Sequence, residues 1–324
     1  MTTITPQLTL GAPQVAGALA VFPVLGPAPV LLYRSFSRAI EHGAFVKELD
    51  RGASVGDLQL ENPTDLPLLV YEGEEVLGAQ QNRTFDTSIL VPAGGRAPVP
   101  VSCMEQGRWD GRRAAERFAP SPQAADPAMR RVKRQAANLQ AAAGATPRAD
   151  QHEVWREVGD RLTHHGVASD SSAMSDLYDG RRTELDQMAR AVRHVDGQVG
   201  AVVEVAGRPV ALDLVSRADV FSDLLPRLAQ GYALEALGVP VAPADEQAAQ
   251  AFADSARQAP RAPQPTPGAG RAFGLLSPEI VGSGLAVKSE LTQLCAFPAE
   301  PGEQPDPPVR GGRIARPARR RRLR

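Results

Sequence analysis

Val199, Ala201, Val203 and Val205 alternate toward Gly207-Arg208-Pro209, and Val210, Leu212 and Leu214 alternate away from it. A period of two on both sides of a turn signal specifies an antiparallel hairpin. Asp213 falls on the face opposite Leu212 and Leu214, where the alternation predicts contact with water.

Residues 44–103 repeat this kind of patterning. Ser35 to His42 reads as a short helix turning at Gly43, and Ala44 to Leu49 as a strand. Asp57-Leu58-Gln59-Leu60 alternates, Asn62-Pro63-Thr64-Asp65 breaks, and Leu68-Leu69-Val70-Tyr71 resumes as an apolar run. Thr84 to Val91 and Ala97 to Cys103 are further β-prone runs around the turn Pro92-Ala93-Gly94-Gly95. The module is therefore expected to be antiparallel and sandwich-like. Residues 110–126 read as a surface connection.

The period then changes. Met129, Val132, Ala136, Leu139 and Ala143 recur at spacings of three and four, as do Val154, Trp155, Val158 and Leu162, and then Leu185, Met188, Ala189 and Val192. Residues 126–194 are thus expected to be helical, with those apolar residues as the inward faces. Phe221 to Leu237 returns to helix after the hairpin and stops at Gly238 and Pro240. Residues 240–271 read as a Pro/Ala-rich excursion with one weak helix, and 272–297 as the last strands. The sum is an α+β fold: a loose N-terminus over 1–19, and one domain over 20–297. The domain holds a β-rich module at 44–103, a helical middle at 126–194, a hairpin and helix at 197–238, and late strands rejoining the core.

After Pro298 the chain is Pro, Gly, Glu and Arg, and residues 298–324 are expected to be disordered. Eight arginines lie between Arg310 and Arg324 in a chain of formal net charge -1, so the body carries about -9. An acidic body argues against nucleic acid as a partner except through the tail, which has no aromatic residue to stack on bases. Cys103 and Cys295 are the only cysteines, which excludes a disulfide framework and fits a reducing, cytoplasmic compartment. Pro23, Pro27 and Pro29 break the longest apolar stretch, and no basic residue precedes an apolar run at the N-terminus, so neither a membrane span nor a signal peptide is expected.

No motif specifies a cofactor. There is no phosphate-binding Gly-rich loop, no Gly-x-Ser-x-Gly elbow and no Cys-x-x-Cys pair, and Gly282-Ser283-Gly284 lacks the context of a nucleotide fingerprint. His152-Glu153 opens like a zinc-protease helix, but Arg156 stands where the second histidine belongs, so no metal is expected.

Two polar clusters follow strands. In Glu72-Gly73-Glu74-Glu75 through Gln81-Asn82-Arg83, Glu74 and Glu75 are candidate acid/base or hydroxyl-binding groups, because neighbouring carboxylates can separate their pKa values. Gln81, Asn82 and Arg83 could orient a polar ligand, Arg83 by pairing with an anion; the competing reading is a solvated loop whose glutamates meet arginines. In the second cluster, Val101 to Trp109, Glu105, Arg108 and Trp109 make a candidate binding edge with a stacking face, and Cys103 reads more readily as a buried inert thiol than as a nucleophile.

These two clusters, with Ile89-Leu90-Val91-Pro92-Ala93-Gly94 between them, Glu153-Val154-Trp155, the 197–214 hairpin and Leu228 to Leu234, together resemble a domain family over roughly residues 20–297. It is the family named for association with ADP-ribosyl-glycohydrolase and rhodanese-phosphatase proteins. Met104 departs from the aliphatic residue expected there. The resemblance implies a setting of ADP-ribose and NAD-derived nucleotide metabolism without assigning an activity. Two readings follow. In one, the chain binds or processes an ADP-ribose-like ligand, with Glu74 and Glu75 on ribose or as acid/base, Arg83 or Arg108 on phosphate, and Trp109 or Tyr71 on a base. In the other, it is a non-catalytic scaffold for an ADP-ribose-metabolising partner enzyme.

Overall fold

The computed structural model describes residues 8–26, 29–50, 52, 54–108 and 116–299. Residues 300–324 of the tail expected to be disordered, and the candidate residue Trp109, lie outside the described residues, whereas Pro298, the first residue of that expected tail, ends the last strand.

Along the chain come β1 (Thr9–Leu10), β2 (Gln14–Ala16), β3 (Leu19–Leu25), β4 (Arg34–Ser35), α1 (Phe36–Glu41), β5 (Phe45–Lys47) and β6 (Asp57–Asn62). Next are β7 (Leu68–Val70), β8 (Glu74–Leu77), β9 (Arg83–Phe85), β10 (Ile89–Val91), β11 (Gly95–Cys103) and β12 (Ala119–Ala124). The middle holds α2 (Pro127–Ala142), α3 (Gln151–His164), α4 (Met174–Gly180) and α5 (Arg182–Ala189). The hairpin β13 (Gln198–Val205) and β14 (Arg208–Val215) leads into α6 (Ala218–Ala236) and α7 (Glu246–Gln258). The chain then adds β15 (Arg261–Gln264), β16 (Arg271–Leu276), β17 (Ile280–Val287) and β18 (Glu290–Pro298).

The late strands rejoin the N-terminal ones in one antiparallel sheet of order β1-β3-β13-β14-β18-β17-β16-β15, with β2 also on β3. The β-rich module forms two smaller sheets, β12-β8-β9-β11-β6-β5 and β10-β7-β4. Helix starts follow their caps: Ser35, Asp126 and Asp150 each accept a backbone N–H of the first turn, and Pro127 opens α2.

Three stretches differ from the sequence reading. Residues 9–16, expected to be loose, pair along β3 through Leu10 to Val24 and Val15 to Ala20. Residues 119–124, expected to be a connection, form β12 despite two prolines. They can do so at the edge of a sheet, where β12 pairs β8 through a register shift and missing donors cost little. Within the Pro/Ala-rich excursion, α7 lays Ala249, Phe252, Ala253 and Ala256 against Phe22, Val202, Leu212 and Leu214, and β15 extends the large sheet.

The opposite face of the large sheet packs on α6 through Val203, Ala211, Phe221, Leu224 and Leu228. Asp213 shares that face, and because helices cover both sides of the sheet it is fully buried rather than hydrated. Helix α2 lies over the same face, contacting β14, β16, β17 and β18. Beneath it the directly paired residues Ala201, Asp213, Cys295, Ser283 and Gly274 form a row of small side chains across the strands. The row leaves room for large groups: a Cβ on Gly274 would stand 2.7 Å from Asn138 Oδ1.

What fills that room is charge. Of the expected apolar stripe of α2 only Met129 is fully buried; Val132 and Ala136 are half-buried and Leu139 is exposed, while the buried residues include Arg130, Lys133, Arg134, Ala137 and Asn138. Arg130 donates to both oxygens of Asp213 at 2.9 and 2.5 Å, and the hydroxyls of Tyr71 and Tyr232 donate to them at 2.7 and 2.6 Å. The guanidinium also lies over Phe297 at 5.0 Å. One turn on, Arg134 pairs with Glu72, whose Oε2 also accepts from Ser283 Oγ. Lys133 pairs with Asp86 at 3.1 Å and donates to Thr84 and Phe85 O. The helix thus bolts the β-rich module to the large sheet. Burial alone would raise the carboxyls of Asp213 and Glu72, but Arg130 and Arg134 hold both below the usual range.

Breaking such a pair strands the other charge in the interior. Asp213→Asn is expected to lower unfolding free energy by about 3–5 kcal/mol in urea titrations. Arg130→Met combined with Asp213→Leu should lose less than the two single changes summed, since it leaves no buried charge behind.

Candidate functional site

The first polar cluster starts where β7 gives way to the Tyr71–Glu74 turn. Gly73 has φ +87°, and a Cβ there would stand 2.6 Å from Arg130 Cδ, so both the backbone and the closeness of α2 require glycine. Glu74 and Glu75 then begin β8, where successive side chains leave opposite faces of the strand. They do not form a pair. Glu74 Oε2 accepts from Tyr71 N at 2.9 Å, and Glu75 Oε2 accepts from Gln123 Nε2 at 3.4 Å.

Both carboxyls are buried, and burial pushes Glu74 up to about 7, opposed by Arg227, and Glu75 up to about 8, opposed by Lys133 and Gln123. Tyr71, a candidate stacking residue, has its ring in the core and its hydroxyl on Asp213.

Gln81, Asn82 and Arg83 are brought together with Glu105 and Arg108. The β9 to β11 pairing sets Cys103 opposite Arg83, and Met104 N donates to Asn82 O at 3.1 Å, so the two clusters run side by side. Gln81 Nε2 donates to Glu105 O at 2.8 Å, and its Oε1 accepts from Arg83 Nη1 at 2.9 Å. Arg108 donates through Nε to Glu105 Oε2 at 2.8 Å, through Nη1 to Ala79 O and through Nη2 to Asn82 Oδ1, both at 3.1 Å. Ser171 Oγ occupies the second oxygen of Glu105 at 2.8 Å.

Arg83 is fully buried, whereas the Arg108 side chain is 25% exposed, so of the two arginines Arg108 is the one a ligand can reach. Cys103 is buried beside them, and burial raises its thiol to about 11, which leaves no thiolate for nucleophilic work near neutral pH.

Sequence reasoning assigned Asp213 to water, where it accepts four buried hydrogen bonds, and did not single out its partners Arg130 and Tyr232. A signal was present in Arg130, Lys133 and Arg134, spaced three and four apart on one helix face. It missed also the buried acidic pair at the start of α2. There Asp126 is held low by Arg161 against its burial, and burial beside Asp126 raises Glu235 to about 7.

A cavity of about 580 Å³ opens elsewhere, where the β17–β18 turn meets the ends of β3, β13 and β14. Its walls are mainly apolar, and no member of either polar cluster lines it. Among the described residues no group of three or more His, Cys, Asp or Glu side chains is arranged to hold a metal ion, and no helix is long and apolar enough to cross a membrane.

The buried carboxyls make stability depend on pH. Unfolded, Glu74 and Glu75 would release their protons near the ordinary 4.5; folded, they keep them to about 7 and about 8. The folded chain therefore holds more protons across that interval, and these groups lower stability as pH rises from about 5 to 8. Glu75→Gln is expected to flatten the slope and to raise unfolding free energy at pH 8 by about 1–3 kcal/mol, as judged by urea midpoints across the range.

None of the curated proteins and none of the solved structures compared with the chain matches it. The family model of the ARG and Rhodanese-Phosphatase-superfamily-associated Protein domain matches residues 7–297, almost the whole of the two polar clusters' setting and all three sheets, and the chain belongs to that family.

Proposed function

We propose that this protein is a non-catalytic interaction module that acts with an ADP-ribose-metabolising partner enzyme. The observation that carries this reading is the placement of Glu74 and Glu75. A general acid or base must reach its substrate, and these carboxyls leave opposite faces of β8 into a sealed interior. Of the other charges in the two clusters, Glu72 is engaged by Arg134 on α2, Arg83 is fully buried, and Glu105 is engaged by Arg108 and Ser171. The family's name supports the setting, since it places such domains in association with other proteins.

A second reading rests on Arg108. Its guanidinium is partly exposed and oriented by Glu105, Asn82 and Ala79 O, an arrangement suited to an anionic group such as the phosphate of an ADP-ribose-like ligand. In this reading Gln81, Arg83 and Glu105 position Arg108, and Trp109 supplies a base-stacking face.

A thermal-shift series separates the two. A ligand that binds only the folded chain raises its melting temperature. On the interaction-module reading, ADP-ribose, NAD and cyclic ADP-ribose at millimolar concentration leave the melting temperature unchanged, and an ADP-ribosylglycohydrolase from the same source co-migrates with the chain in size-exclusion chromatography. A shift of several degrees with ADP-ribose that disappears in Arg108→Ala would establish the second reading and displace the first.

A further inference from the structure

The cavity at the β17–β18 turn has a composition unlike that of the polar clusters, and the inference drawn from it is independent of the function proposed above. Leu8, Val199, Leu214 and Leu291 form buried walls. Val30 and Leu32 stand at its lip, 90% and 56% exposed. Its volume of about 580 Å³ is in the range of small-molecule sites, which are typically about 300–1,000 Å³ and mostly apolar with a few placed polar groups.

The placed group is Lys288. Val287 pairs with Glu290, so Lys288 and Ser289 form a two-residue hairpin loop. Lys288 takes φ +57° at the first loop position, where glycine is the usual occupant when only that residue has positive φ. The conformation is uncommon for a residue with a Cβ, and here it sets a cation at the cavity mouth.

The three lysines differ in their partners. Lys47 pairs with Asp50 and Glu61, and Lys133 is buried against Asp86. Lys288 is exposed, and among the described residues no carboxylate lies within ion-pair distance of it. A second cation, Arg271, sits at the turn and donates to Lys288 O at 3.0 Å. The carboxylate of Glu290 also lines the cavity, its Oε2 accepting from Leu31 N at 3.4 Å and its Oε1 buried without a hydrogen-bond partner, so it is not exposed at the mouth where Lys288 stands. The hydroxyls of Ser216 and Tyr33 bond each other at 3.0 Å. The exposed charge of the lining is therefore Lys288, at the mouth of an apolar chamber.

We propose that this cavity binds a soluble amphiphile with an alkyl body and a single carboxylate head, the body between Leu8, Val199, Leu214 and Leu291 and the head at Lys288. The neutral apolar dye N-phenyl-1-naphthylamine serves as the probe with the full chain, its fluorescence rising as it leaves water. Decanoate, decanol and decylamine compete for it below their aggregation concentrations.

Decanoate is expected to displace the dye at roughly twofold to fivefold lower concentration than decylamine, the range an exposed ion pair supplies. Lys288→Gly, which suits the positive φ and so preserves the hairpin, should bring that ratio to about one while dye binding persists. Val30→Asp with Leu32→Asp, both at exposed positions, should weaken the dye itself. Failure of the dye to bind, equal displacement by the two charged competitors, or an unchanged ratio in Lys288→Gly would overturn the proposal. So would sedimentation with phosphatidylglycerol vesicles that decanoate does not compete away, since that outcome assigns the rim to a lipid surface.

Discussion

Two oxygen atoms of Asp213 receive hydrogen bonds from Arg130 on α2, Tyr232 on α6 and Tyr71 at the end of β7. The large sheet, both helices that cover its inner face and the β-rich module meet at this one carboxylate. A buried charge is tolerable only when its bonding capacity is met, and four donors meet it here. The rest of the arrangement follows from seating Arg130. The strand row beneath must be small, as Ala201, Cys295, Ser283 and Gly274 are. Gly73 must lack a Cβ, and Glu72 must face Arg134 on the next turn.

A polar joint of this kind fixes one placement of α2. An apolar interface tolerates a shifted helix at modest cost, whereas sliding α2 along the sheet would separate Arg130, Lys133 and Arg134 from Asp213, Asp86 and Glu72 together. Glu74 and Glu75 stand outside this matched set. Among the described residues no arginine forms an ion pair with either of them, so burial governs both and raises Glu74 to about 7 and Glu75 to about 8. The two together carry less charge near neutral pH than exposed glutamates would, which eases the burial of adjacent glutamates on β8.

The regular elements were legible because their periods are local. The 199–214 hairpin and the starts of α2 and α3 needed only alternation, turn residues and caps. Burial was less legible, because it depends on what covers a face. Asp213 lies opposite Leu212 and Leu214 as the alternation requires, but α2 and α6 cover that face too. On α2 the apolar residues Val132, Ala136 and Leu139 suggested the wrong inward face, since the partners of Arg130 and Arg134 lie about 80 and 60 residues away along the chain. The neighbourhood of Gln81, Asn82, Arg83, Glu105 and Arg108 followed from strand pairing between β9 and β11. Their degree of burial did not.

Density of charge in a sequence has two physical origins, and they leave different traces in a fold. Groups that serve a ligand must keep bonding capacity to offer, and so end at a surface or a cavity. Groups that serve the fold are consumed by one another. By that criterion the Glu72–Arg83 segment belongs mostly to the fold, whereas Arg108 beside it retains a partly exposed guanidinium. The apolar cavity lies instead among Val30, Leu32, Val199 and Lys288, in stretches where the sequence offered only an apolar run and a turn. A tight turn is an inexpensive place to mount a lone cation, because its side chain projects beyond the last paired residues of the two strands it joins.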